Sequence, residues 1–239
     1  MLNLKIFVIS LLRSPDRRAK AARELAFLGN SWEFLDAVDG SQFASTVNEY
    51  DRSKVRRLLG FELTNNEIGC YMSHKKAWSK CVENKCPTLI FEDDFVIKGN
   101  FLEALDIAMN KFTFWNIFRL QGLAESDYLE VARFGENKIV KNLSDPVGAT
   151  AYIVTPSSAR VLLQKSSEIF EPLDHFLEHK KFHGLQVHAL KPYPVGVTGD
   201  SSTIADRPDL RRVRGFRKIK RSFFRILDRI MNPNPWFGK

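Results

Sequence analysis

The sequence predicts an α/β fold, with a mostly parallel sheet flanked by helices and a basic amphipathic helix at the C-terminus. Three observations carry that expectation. An apolar run, Lys5-Ile6-Phe7-Val8-Ile9-Ser10-Leu11, is followed within forty residues by a helical segment and a second apolar run, the pattern of a βαβ unit. A further run, Thr88-Leu89-Ile90-Phe91, is bounded by Pro87 and reads as a buried strand. The 239 residues, 44% of them hydrophobic, suffice for one domain with a substantial core.

In chain order, Lys5–Leu11 is the first strand. Ser14 is a plausible N-cap and Pro15 suits the first helical position, so a helix is expected from Pro15 to about Leu28, ended by Gly29. Ser31–Val38 is the second strand, and Ser41–Glu62 reads as a polar excursion with short helices. Thr64-Asn65-Asn66-Glu67 matches a capping box and opens a helix through Ser73, His74, Trp78 and Cys81. After Thr88–Phe91 come a helix over Phe101–Met109, a strand over Phe114–Leu120 and a hairpin over Tyr128–Val140. A strand over Gly148–Val154, a helix from Pro156 to about Lys165, a short helix over Pro172–His179 and a last strand, Val187–Leu190, complete the domain. Residues 1–206 are read as one domain and 207–239 as a tail.

Composition narrows the function. Between Arg207 and Arg229 lie ten Lys/Arg against two acids, so this segment carries the whole net charge of +8 and the rest balances 26 bases with 26 acids. Within it Val213, Phe216, Ile219, Phe223, Ile226, Leu227 and Ile230 recur at spacings of three and four. A basic amphipathic helix of this kind suits an anionic membrane surface, with Trp236 and Phe237 as an interfacial anchor. The alternatives are a helix packed on the domain and a phosphate-binding arm for nucleic acid. Confinement of the basic charge to the tail argues against nucleic acid. The three cysteines, Cys70, Cys81 and Cys86, read as free thiols of a reducing compartment. The Cys81/Cys86 pair has no further ligand nearby in sequence and is weak evidence for structural zinc. Leu4–Leu12 lacks the flanks of a signal peptide, and the longest uncharged run, Pro146–Ala159, is too short to span a bilayer.

The chemistry concentrates at Glu92-Asp93-Asp94. Three acids in a row repel one another, and ordering them is costly without a cation. At the carboxyl end of a strand they suit a divalent metal and the phosphates it neutralises, or else form a solvated acidic turn.

Several blocks resemble the family-25 glycosyltransferases, the bacterial lipooligosaccharide galactosyltransferase family, in the same order. They are Val8-Ile9-Ser10-Leu11 with Arg17-Arg18; Asp36-Ala37-Val38-Asp39-Gly40; Leu63-Thr64 to Glu67-Ile68-Gly69-Cys70 with Ser73-His74; Leu89 to Asp94; Ala151 to Pro156 with Ala159; and Pro172-Leu173-Asp174-His175-Phe176. The likeness spans about Lys5 to Arg207. The first block has Ser10-Leu11-Leu12 where the family usually has an Asn, and Ser201–Ile204 ends the match loosely.

The resemblance implies a GT-A-type, Rossmann-like domain. It implies inverting transfer of galactose from UDP-galactose to a lipooligosaccharide sugar, on the cytoplasmic side of the inner membrane of a Gram-negative bacterium. Mn²⁺ or Mg²⁺ is the implied cofactor, with Asp94 as ligand and Asp93 as ligand or ribose contact. His188 is a further candidate ligand, or an ordinary strand histidine. Ser10, Leu11, Arg13, Asp36, Ala37, Ser73, His74, Glu92 and Asp93 are expected around the nucleotide sugar. Arg13, Arg17 and Arg18 are phosphate contacts or a solvated helix face, and Ser73-His74 is a nucleotide contact or helix-to-sheet packing. Asp174 is the first candidate base for the acceptor hydroxyl, or a helix first-turn acid. Asp200 is the second, or a turn residue. Gln121, Gly122 and Gly148 are expected on the acceptor side, where small residues let a sugar approach the backbone. A catalytically inactive sugar-binding or scaffold protein on the same fold is the rival from another class.

Overall fold

The computed structural model describes residues 3–43 and 47–199. The basic tail, Asp200 and Ser201–Ile204 lie outside the described residues. In order, the elements are β1 (Lys5–Ser10), α1 (Pro15–Glu24), β2 (Glu33–Asp36), α2 (Arg52–Leu59), α3 (Asn65–Asn84), β3 (Thr88–Glu92), β4 (Phe95–Ile97) and α4 (Phe101–Asp106). They continue with β5 (Ile117–Arg119), β6 (Tyr128–Phe134), β7 (Asn137–Asn142), β8 (Ala151–Val154), α5 (Pro156–Lys165), α6 (Leu173–Glu178), α7 (Lys180–His183), β9 (Val187–Lys191) and β10 (Val195–Val197).

Eight strands form one sheet in the order β2-β1-β3-β8-β5-β9-β7-β6, and β4 pairs with β10 in a small second sheet. The first βαβ unit is parallel, with β1 between β2 and β3. The expectation of a mostly parallel sheet needs correction: β8 runs antiparallel to both β3 and β5, and β7 antiparallel to β6 and β9. Only β5–β9 adds a further parallel pair among the described residues. The reason lies in the signal: Ala151-Tyr152-Ile153-Val154 is buried throughout, and a strand buried on both faces looks the same in either direction.

The sheet has a core on each side. Phe7, Ile9 and Ile90 face α2, α3, α5 and α6, packing with Trp78, Leu162 and Phe176. Ile6, Val8, Leu89 and Phe91 face α1 and α4, packing with Leu25, Phe101 and Leu105. This alternation along β1 and β3 explains their nearly unbroken apolar sequences.

Helix α3 is set in place at its start. The Thr64 hydroxyl accepts from Glu67 N–H, and Glu67 reaches back to Thr64 N–H at 2.9 Å, completing the capping box. The helix then presses its backbone on the loop after β2. A Cβ on Gly69 would lie 2.8 Å from both Val38 O and Gly40 N, so only glycine permits the approach. The Ser73 hydroxyl receives Val38 N–H at 2.8 Å one turn later. Gly69→Ala should therefore cost about 1–3 kcal/mol, the range for overpacking against backbone that must shift. Urea unfolding measures it, and an unchanged midpoint would show that the loop yields freely.

Candidate active site

β1 and β3 end side by side, and a cleft opens there between the loop after β1, the loop after β2 and the first half of α3. Ser10, Leu11, Arg13, Arg17, Ala37, Ser73, His74, Glu92, Asp93 and Asp94 all line it. Glu92 closes β3, and Asp93-Asp94 form the turn into β4, anchored where Thr198 N–H donates to Asp94 O at 2.8 Å.

The three acids differ in how they are neutralised. Asp93 is held by the Ser10 hydroxyl at 2.5 Å and by the Arg17 guanidinium at 2.6 Å. Burial still keeps its pKa above the ordinary carboxylate value, with Ser10 and Arg17 opposing. Asp94 meets Arg17 through Oδ2 at 3.2 Å, and its buried Oδ1 has no hydrogen-bond partner among the described residues. Burial, reinforced by the charges of Glu92 and Asp93, pushes its pKa up to about 7 despite Arg17. Glu92 is the satisfied member: His74 Nε2 lies 3.3 Å from Oε1, the Cys70 thiol donates to Oε1 at 3.4 Å, and the Thr150 hydroxyl donates to Oε2 at 3.3 Å. Burial raises its pKa, but these bonds win and hold it below the ordinary value.

Two ion pairs frame the cleft. Arg13 meets Asp39 at 2.6 Å, and that bond, with one from Ser41, holds the Asp39 carboxyl well below the usual range. Half of the Arg13 side chain is exposed, so the pair contributes little stability and leaves Arg13 available to a ligand. Arg18 holds Asp36 at 2.5 Å and the Ser10 carbonyl at 2.9 Å, lying over the Phe34 ring. Asp36 flanks the cleft outside its lining.

A second cluster lies at the start of β8. Buried Arg119 binds Glu178 at 3.2 Å and the carbonyls of Gln121, Val147 and Gly148. Gly148 takes φ +83°, and a Cβ there would lie 2.9 Å from Gln121 Oε1. Its N–H points to Asp174 Oδ2 at 3.4 Å, while His175 N–H donates to Oδ1 at 3.0 Å. Gln121 Oε1 accepts from Thr150 N–H at 3.3 Å, and Gly122 lies against the Tyr193 ring. Thr150 thus links Glu92 to the Gln121–Gly148–Asp174 group. Asp174 also helps, after burial and Glu92, to raise the Cys70 thiol's pKa, so its charge is felt in the cleft. Beside it, His175 pairs with Asp145 at 2.5 Å, which raises its pKa to about 9.

His188 is not brought to this site. It lies on β9, separated from β3 by β8 and β5, is 3% exposed, and packs edge-on to Phe112 at 5.2 Å. Burial drops its pKa to about 4. Of the three ligands suggested by the sequence, Asp93 and Asp94 share the cleft. Thr150 and Arg119 carry no local signal in the sequence; their partners are set by strand order.

The chain matches the model of glycosyltransferase family 25 (LPS biosynthesis protein) over residues 3–177. It belongs to that family. It is 29% identical over 245 residues to a glycosyltransferase 25 family member of Aedes aegypti, covering 90% of this chain and 39% of the relative. It is likewise 29% identical over 233 residues to the inactive glycosyltransferase 25 family member 3 of Mus musculus, covering 84% of this chain and 38% of that one. A lipooligosaccharide biosynthesis protein of Haemophilus influenzae is 27% identical over 172 residues, 65% of this chain and 61% of the relative. The chain thus spans about two-fifths of the length of these animal relatives.

Asp94 stores an electrostatic cost. Its pKa of about 7 in the folded chain lies above the ordinary aspartate value of about 3.9, so the folded state holds the proton more tightly. Stability from this group is full below about pH 4 and falls as pH rises to about 7. With chelator present, Asp94→Asn should therefore match wild type near pH 4 and exceed it by on the order of 2–4 kcal/mol at pH 8. Thermal unfolding at the two pH values checks this; a variant less stable at pH 8 contradicts it.

Proposed function

We propose that the chain is an inverting hexosyltransferase that moves galactose from UDP-galactose to a lipooligosaccharide core sugar and depends on a divalent cation. The observation that carries this reading is Asp94 Oδ1, a buried carboxylate oxygen without a partner in a cleft that also presents two arginines. An orphaned anionic oxygen beside Asp93 fits a hard cation. Asp94, with Asp93 beside it, would hold Mn²⁺ or Mg²⁺, which supplies Lewis-acid stabilisation of a leaving diphosphate.

The remaining work falls to the chain itself. Ser10, Leu11 and Ala37 line the end of the cleft beyond β1 and β2, where a nucleotide binds on open α/β sheets. Arg13 and Arg17 face the diphosphate region as charge-assisted donors. Asp174 is the base: two backbone N–H groups orient its carboxylate, and an acceptor hydroxyl surrenders its proton there as the new bond forms. Gln121, Gly122 and Gly148 shape the acceptor side. A sugar-binding protein without catalysis is the competing reading; the mouse relative is named inactive, and the intact acidic triplet here favours activity.

Metal-dependent release of UDP from a panel of UDP-sugars tests the reading. Asp94→Asn should lose at least ~100-fold of the turnover, the scale for one electrostatic stabiliser, while staying folded. Asp174→Asn should slow transfer yet bind donor as wild type does, because it acts on the acceptor. Activity that persists under chelation and in Asp94→Asn would sink the metal role, and unchanged transfer in Asp174→Asn would move the base elsewhere.

Among the described residues no helix is long and apolar enough to cross a membrane. We propose that residues 207–237 dock the enzyme on the anionic cytoplasmic face of the inner membrane, since they carry ten Lys/Arg between 207 and 229. Each base near such a surface contributes about 1 kcal/mol. Truncation before Arg211 should leave a folded enzyme that binds anionic vesicles far less, and salt should weaken full-length binding. A truncated chain that unfolds, beside an intact chain that ignores vesicles at low salt, would place the helix in the core instead.

A further inference from the structure

We propose that Cys70, His74 and Glu92 form a second cation site on the floor of the cleft, selective for a zinc-class transition metal. It is distinct from the hard-cation position at Asp93 and Asp94. Cys70 and His74 stand one turn apart on α3 and share a face; Glu92 ends the adjacent strand β3. Their ligand atoms all lie within 4.8 Å of one another.

Two of the three ligand-to-ligand distances match a tetrahedral centre, and the third, sulfur to nitrogen, lies within 4.8 Å. Zinc bonds of about 2.3 Å to sulfur and about 2.0–2.1 Å to nitrogen and oxygen place sulfur about 3.5 Å, and nitrogen about 3.3 Å, from the oxygen. Here Cys70 Sγ is 3.4 Å and His74 Nε2 is 3.3 Å from Glu92 Oε1. Thiolate and imidazole donors select zinc-class ions over Mg²⁺. Three protein ligands leave a fourth position open, as in reactive rather than purely structural zinc sites. All three residues line the cleft, and Glu92 keeps a quarter of its side chain exposed, so an ion can enter.

The outer partners suit the bound form as well. His74 Nδ1 lies 2.8 Å from the Tyr152 hydroxyl, which accepts the Trp78 indole N–H at 2.8 Å. With an ion on Nε2, His74 carries its proton on Nδ1 and donates it to the Tyr152 oxygen, whose second lone pair serves Trp78. In the metal-free form the Tyr152 hydroxyl turns to donate to Nδ1, and Nε2–H donates to Glu92. Shifting the imidazole proton between its nitrogens consumes none. The one proton displaced is the Cys70 thiol's, and it goes to solvent.

The test titrates Zn²⁺ and Co²⁺ into the full-length protein with Mg²⁺ in excess. One ion should bind per chain with release of one proton, and the Co²⁺ form should show a thiolate-to-metal charge-transfer band. Cys70→Ser should lose the band and weaken Zn²⁺ by more than the roughly 10–100-fold that loss of an outer partner costs, and Tyr152→Phe should fall within that range. Asp94→Asn should keep the band even where it abolishes turnover, which separates this site from the proposed catalytic cation. If Cys70→Ser does not fold, alkylation of wild-type Cys70 followed by mass spectrometry replaces it, with Zn²⁺ expected to block labelling. Failure to bind Zn²⁺ over Mg²⁺, a band that survives Cys70→Ser, or labelling indifferent to Zn²⁺ overturns the proposal.

Discussion

The constraint on which the site depends is the crowding of three carboxylates at the end of one strand. Glu92, Asp93 and Asp94 leave β3 in immediate succession, and each must find positive charge or hydrogen-bond donors as it is buried. The fold answers with one set of partners per acid. α1 brings Arg17 to Asp93 and Asp94, β1 brings Ser10 to Asp93, and α3 and β8 bring His74, Cys70 and Thr150 to Glu92. What remains unneutralised is one oxygen of Asp94. A residual negative site of this kind lowers stability, and under the proposed function the same atom is where a cation binds.

Supplying those partners fixes the larger architecture. His74 and Cys70 reach Glu92 only if α3 lies close on the sheet, and the contact of Gly69 with the backbone of Val38 and Gly40 permits that approach. Thr150 reaches Glu92 only if β8 begins where β3 ends, which requires the antiparallel pairing of Phe91 with Ala151. The departure from a parallel sheet is therefore part of how the acidic end of β3 is satisfied.

What the sequence made legible follows from how local each signal is. The capping box at Thr64–Glu67, the apolar runs of β1 and β3 and the acidic triplet are all written within a few consecutive residues, and they sit where expected. The direction of β8 is not local, because a strand buried on both faces carries no polarity in its pattern. β4 and β10 span three residues each and are stabilised by pairing with each other, so neither stands out alone. His188 shows the same limit from the other side. A histidine in a strand near a loop is a reasonable ligand until the strand order places two strands between it and the acids. Likewise, the Cys81/Cys86 spacing is only weak evidence for zinc, whereas the grouping of Cys70 with His74 and Glu92 depends on the register of α3 on β3.

The cleft and the Asp174 cluster are joined through Thr150, whose hydroxyl serves Glu92 and whose N–H serves Gln121. Gly148, held by Arg119 through its carbonyl, presents its N–H to Asp174. Glu92 and Asp174 are thus both bonded from one short stretch, residues 148–150, just before the buried strand β8. Next to Glu92, burial and the neighbouring acids disfavour the charge of Asp94, while Asp174, half-buried, is oriented by two backbone donors. Under the proposed function the two acids have different tasks, Asp94 holding a cation and Asp174 accepting a proton. Because residues 148–150 bond both Glu92 and Asp174 and lead directly into β8, a paired strand end positions the two acids with some rigidity. A transfer reaction that must align donor and acceptor on opposite sides of a sugar needs that rigidity.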